Sequence, residues 1–417
     1  MTGRTIRAQP CALRREGRPQ RMRWGTLVRA LALLAAALPF AAQARIYTVV
    51  RPRISLGAAF DDNVRFDGSG GDALSEAIPG LKLELFGEHH LRLAFDCQAN
   101  IARLAHPDRF GDTGSGFANG GNCLVDLRDQ LSERVRTVWS ARTTYARDAF
   151  AISSLGLLLR RGQTQVFQTR VSGLFSQAVS TRGALQYGIY ANLLNFCSND
   201  PGNGFQIAPQ FGYTLRTSER DTVDMSVREQ LFYGDGATAV PNLHGAGDSG
   251  LLAEGTSALA GFTRRFTEVL TGTLRAGPLL LTRTNASTVF SPAARLELSA
   301  STPTSDFHFV VAHDLVMGPS RAGALVGDVA EVGFSRELAT HLSGHLRTGL
   351  YRNAGVGSSD LGFVGYSAES GLDYRFAHEW SFGIAGLRDG RIRGGSDAVN
   401  IDRDVFQIRL TWQKARD

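Results

Sequence analysis

Residues 362–387, GFVGYSAESGLDYRFAHEWSFGIAGL, change character at every second position. Val364, Tyr366, Ala368, Leu372, Tyr374 and Phe376 fall on one side, and Ser367, Glu369, Asp373 and Arg375 on the other. A period of two belongs to a β-strand with one apolar and one wet face. Ala377-His378-Glu379 make a polar turn, after which Trp380, Phe382 and Ile384 start a second strand of the same kind. The result is a hairpin with an oily face, a wet face and aromatics gathered at its turn.

This unit recurs down the chain. Leu91, Leu93, Phe95 and Ile101 alternate with Arg92, Asp96, Gln98 and Asn100, and Val223, Met225, Val227 and Leu231 with Asp224, Ser226, Arg228 and Gln230. Leu296 and Leu298 alternate with Arg295, Glu297 and Ser299, and Leu342, Leu346 and Leu350 with Ser343, His345 and Arg347. The last strand sets Phe406, Ile408, Leu410 and Trp412 against Gln407, Arg409 and Thr411. Glu229 and Asp129 depart from the pattern by falling on nominal outer faces.

About eighteen strands of roughly ten residues can be laid out this way. Short polar turns such as 132–134, 218–221 and 302–305 alternate with longer loops rich in Gly, Asp, Ser and Asn, such as 106–122 and 235–250. Lipid offers no hydrogen-bond partners, so a sheet that spans it must close on itself with its apolar face outward. Segregated turns and loops fit an outer-membrane barrel with its turns in the periplasm. The expected fold is therefore all-β: one transmembrane antiparallel β-barrel of about 18 strands, a single domain over residues 45–417. A mean hydropathy of −0.11 agrees, since alternating faces average out.

Residues 1–44 read as a leader. Arg21, Arg23 and Arg29 precede the apolar run Ala30–Phe40, and Ala42-Gln43-Ala44 is a small-x-small cleavage site. The signal peptide proper would span 22–44, with Met1 and Met22 both available as starts. The leader carries eight Arg and one Glu, so the +6 formal charge belongs to it and the remainder is close to neutral. The basic balance thus argues for no nucleic-acid partner. Export permits a disulfide among Cys97, Cys123 and Cys197, but the spacing does not choose the pair.

The inner faces carry both signs of charge: Arg92, Asp96, Asp126, Arg128, Asp224, Arg228, Arg275, Arg295, Glu297, Glu331, Arg347, Glu369, Asp373, Arg375 and Arg409. They are the expected lumen-lining residues, suited to a hydrated, weakly charged solute. A one-signed ring would have argued for ion selectivity. Asp61-Asp62-Asn63 with Asp67 and Asp72 offers oxygen ligands but lacks the spacing of a calcium loop, and His89-His90 reads as a polar turn. No G-x-S-x-G stands on a strand-to-helix turn and no ligand pair implies zinc, so no enzyme, metal or cofactor is expected.

The stretch Arg51–Gly68, RPRISLGAAFDDNVRFDG, resembles the first strand and loop of the outer-membrane barrel porins encoded with exopolysaccharide clusters. The eighteen-strand layout is similar to theirs. The resemblance implies a conduit for polysaccharide export, served by a periplasmic export protein docking at turns such as Glu133-Arg134, Glu219-Arg220 and Arg336-Glu337. It departs at the C-terminus, where Trp412 is followed by five more residues instead of ending the chain for the barrel-assembly machinery to read. An uptake porin for sugars or other small solutes is the alternative; a barrel enzyme or structural envelope protein is a third reading.

Overall fold

In the computed structural model, residues 46–414 are described except 64–69, 88–89, 107–116, 147–165, 197–203, 235–250, 284–287, 318–323, 356–362 and 395–400. The leader, Asp67, His89 and Cys197 lie outside them. Eighteen strands follow in order: β1 (Tyr47–Asp61), β2 (Asp72–Phe86), β3 (Arg92–Leu104), β4 (Phe117–Ser132), β5 (Val135–Ala146), β6 (Val166–Ala178), β7 (Gly183–Phe196), β8 (Gly204–Arg216) and β9 (Asp221–Gly234). Next come β10 (Leu251–Arg265), β11 (Leu270–Arg283), β12 (Val289–Ser301), β13 (Ser305–Met317), β14 (Ala324–Ala339), β15 (Leu342–Gly355), β16 (Phe363–Arg375), β17 (Trp380–Gly394) and β18 (Ile401–Gln413).

Each strand pairs antiparallel with its chain neighbours, and β1 pairs with β18 from Arg53↔Gln413 to Asp61↔Val405. The sheet therefore closes on itself as a barrel. Connections at one end are two to five residues long and at the other five to nineteen.

Four of the short turns share a device. Ser180, Ser218, Thr267 and Thr302 each accept, through the side-chain oxygen, the backbone N–H three residues on, at 2.8–2.9 Å. A hydroxyl standing in for a backbone acceptor pins these tight turns.

The outer face is an apolar belt. Leu56, Phe60, Leu81, Ile101, Met225, Val227, Leu274, Leu350 and Phe406 are all exposed, as befits side chains that meet lipid. Aromatics cluster toward the short-turn end. Trp380 lies opposite Trp412 and Tyr374 opposite Phe382, while the Phe175, Tyr187 and Phe211 rings follow one another in a row, tilted, with centroids 6.1 and 5.3 Å apart. Such a girdle marks the membrane–water boundary. Cys97 and Cys123 face each other on β3 and β4 and are joined by a disulfide. Leu81 pairs with Cys97 and is exposed, so the bridge lies on the outer face.

Candidate functional site: the barrel lumen

Strand parity fixes which side chains point inward. Exposed Ile101, Met225, Val227, Leu274, Leu296, Leu346, Leu372 and Ile408 mark the outer face, and residues one step away in register mark the inner one. By that rule all fifteen residues named from the sequence lie on the inner face. Glu229, next in step after Met225 and Val227, points outward, as does Asp129, in step with Leu127 and Leu131.

Many inner charges are paired. Glu84, nearly buried, collects Arg51 at 3.3 Å, Lys82 at 3.6 Å and Arg92 at 2.7 Å. Arg53 reaches over β2 to Asp96 at 2.5 Å and Gln98 at 2.9 Å. Arg409 stands 3.7 Å from Glu76, which also accepts from Gln407. On the other side of the barrel Arg275 meets Asp224 at 3.0 Å, Arg295 meets Glu297 at 3.2 Å, and Glu331 receives Arg347 at 2.7 Å and His308 at 3.2 Å. His345 lies 3.9 Å from Glu369 and 3.7 Å from Asp373. Asp126, Arg128 and Arg375 have no ion pair among the described residues.

Several of these partners went unread in the sequence. Arg51 and Arg53 sat inside the stretch that carried the family resemblance, and Glu84 precedes a short turn. The alternation of β1 and β2 contains them all. Among the described residues of the acidic loop, Asp61 takes Arg403 at 2.7 Å and Asp72 takes the His106 side chain at 2.9 Å.

The lumen is not a clear bore. β12 begins at Val289, yet it pairs with β13 only from Ala294↔His313 to Ser301↔Asp306. Pro292, in the unpaired part, has no N–H to offer a ladder. Above that point β13 and β14 stay paired to each other, through Leu315↔Val326 to Met317↔Ala324. Leu315, 5% exposed, packs with Leu194, Phe232, Ala253, Leu279, Leu281 and Ala293, and Val326 packs against the same cluster. These are inner-face residues of β7 and β9–β12. Leu315 touches Gly255 of β10, and Asp314 accepts from Arg228 of β9 at 3.4 Å.

Three strands of wall, and so four strand spacings, separate β13 from β9, about 19 Å at the usual strand spacing. An arginine cannot span that distance. The upper β13–β14 hairpin therefore leaves the wall and leans across the inner face of β9–β12. Leu315 has the parity of an outward residue and is used inside. Under the hairpin Gln230 and Ser257 are almost wholly buried, and Gln230 Nε2 and Ser257 Oγ lack protein partners among the described residues.

No protein-family model matches this sequence, and no curated protein sequence matches it. Solved structures that resemble the chain include Pseudomonas aeruginosa OccK2 (OpdF) in complex with glucuronate, at TM-score 0.45 and 10% identity over 88% of this chain and 97% of that one. The Pseudomonas aeruginosa outer membrane protein opdK gives TM-score 0.43 and 11% identity, covering 88% and 98%. Acinetobacter baumannii OccAB4 gives 0.41 and 9%, again covering 88% and 98%.

The expected polysaccharide-export conduit is thereby corrected. Here the β13–β14 hairpin fills part of the inner space that a polymer would need. The export protein implied as a partner loses its basis with it.

Proposed function

We propose that this protein is an outer-membrane diffusion channel for the uptake of small hydrated solutes. The observation that carries the reading is a wet, charged inner wall narrowed by the β13–β14 hairpin. Arg128, Arg136 and Arg142 are exposed on the inner face, so water reaches the wall. Ion pairs spread around that wall give many shallow contacts, and conduction needs binding weak enough to release. The apolar belt supplies the membrane fit. The signal peptide over 22–44, the barrel domain over 45–417 and delivery through the barrel-assembly machinery belong to the same reading.

The test is swelling of proteoliposomes holding the purified protein. Monosaccharides and their acids should enter, at rates that fall steeply with solute size, while dextran polymers stay out. No swelling in any small solute, with the barrel shown to be folded, would sink the channel reading; passage of polymer would sink the size limit.

A further inference from the structure

The inner face of β4–β6 differs from the rest of the wall. Arg128 on β4, Arg136 and Arg142 on β5 and Arg170 on β6 all point inward by register. Arg142 and Arg170 stand directly opposite each other. Side chains so placed start about 4.5–5.5 Å apart at Cβ, where like charges destabilise the sheet. Elsewhere Arg53, Arg92, Arg228, Arg275, Arg347 and Arg409 each have a carboxylate at 3.7 Å or closer. Among the described residues none of the four on β4–β6 has such a partner. The inner face of these three strands holds one carboxylate, Asp126, against four guanidinium groups.

The surroundings orient this charge without cancelling it. The buried Gln168 amide lies 2.9 and 3.0 Å from Arg170 Nε and Nη2, and accepts from both with its oxygen on that side. Asn192 faces Arg170 on β7 and is also neutral. Arg142 is exposed to the lumen, so a solute can reach the pair. An anion placed between two facing guanidinium groups relieves their repulsion, and the guanidinium fork suits the two oxygens of a carboxylate or phosphate.

We propose that Arg142 and Arg170 form an oxyanion subsite on the lumen wall. Arg128 and Arg136 continue the positive track toward the short-turn end. The inference rests on the channel reading and gives it a substrate class: small solutes bearing a carboxylate or a phosphate.

The experiment is planar-bilayer recording of the purified protein in a salt gradient, with gluconate, inorganic phosphate or neutral glucose then added. The wild-type channel should prefer chloride to potassium, and gluconate or phosphate should reduce its current where glucose does not. Whichever anion acts at lower concentration identifies the source of the oxyanion. Arg142→Gln combined with Arg170→Gln should lower the chloride-to-potassium permeability ratio at least threefold and abolish the block. Arg142→Lys with Arg170→Lys should keep the ratio while weakening the block, because lysine keeps the charge and loses the fork. Heat-modifiable gel mobility confirms folding of each variant. A folded Gln pair with unchanged selectivity and block overturns the subsite and leaves the channel standing. A folded wild type that conducts nothing overturns the channel and the subsite together.

Discussion

Leu346→Arg tests the two-faced wall most directly. Leu346 is 48% exposed on the outer side of β15 and is flanked in register by exposed Phe334 and by Ser370. It lies four residues above Leu342, which pairs with Tyr374 of the aromatic girdle. At about 3.3 Å per residue and about 40° of tilt, that is ~10 Å above the boundary of a belt ~25 Å tall, close to the midplane. A cation there costs about 2–4 kcal/mol. The folding equilibrium in lipid should fall roughly 30- to 1000-fold, at 1.4 kcal/mol per factor of ten. Ser343, three residues earlier, points inward and pairs with Asp373, so Ser343→Arg gains a carboxylate neighbour in water. The assay is the urea dependence of folding into vesicles, read by heat-modifiable mobility on gels. Leu346→Arg should shift the transition and Ser343→Arg should leave it in place. Equal loss in both variants would refute the assignment of faces.

Leu315→Ser removes apolar contact between the hairpin and the inner wall, where Leu→Ala changes in packed sites typically cost about 2–5 kcal/mol. Single-channel conductance should rise as the hairpin spends time away from the wall; an unchanged conductance would mean that the hairpin does not limit flow. Cys97→Ala should lower stability by about 3.5 kcal/mol on the chain-entropy model for a 26-residue separation. The urea transition reads this, and no shift would show that neighbouring β3 and β4 need no tether. Gly277→Val should block assembly, because any Cβ there runs into the Ala258 carbonyl oxygen where β10 and β11 lose regular pairing. Wild-type yields of folded barrel would show that the backbone gives way.

The barrel was legible because lipid imposes one rule on every strand. Each apolar position of the last strand, Phe406, Ile408 and Leu410, carries the same message as those of the first, so errors in single strands do not accumulate. The turns were legible for a local reason: Ser-Thr-Arg-Gly and Ser-Glu-Arg-Asp contain the hydroxyl and the N–H that it caps. The disulfide was not. Cys97 and Cys123 are 26 residues apart, and only the register of β3 on β4 brings them together. The ion pairs across the wall were illegible for the same reason, since Arg53–Asp96 and Arg275–Asp224 each skip a strand.

The hairpin marks the limit of the two-face rule. Alternation tells a residue's parity, and parity becomes inside or outside only while the strand stays in the wall. Leu315 and Val326 keep the outward parity of Val311 and Phe334 but sit over inner-face Leu279 and Phe232. One cue existed: Pro292 interrupts the donor row of β12 where β13 should have continued along it. Phe232, Leu279 and Leu281 were the complementary cue, because three large apolar side chains on a face otherwise given to Arg, Asp and Gln need a partner other than water. An inner wall that turns apolar on one arc predicts that something from the chain comes back to cover it. An inner wall that stays cationic on another, at Arg142 and Arg170, calls in the same way for a partner, and there the partner must come from outside the described chain.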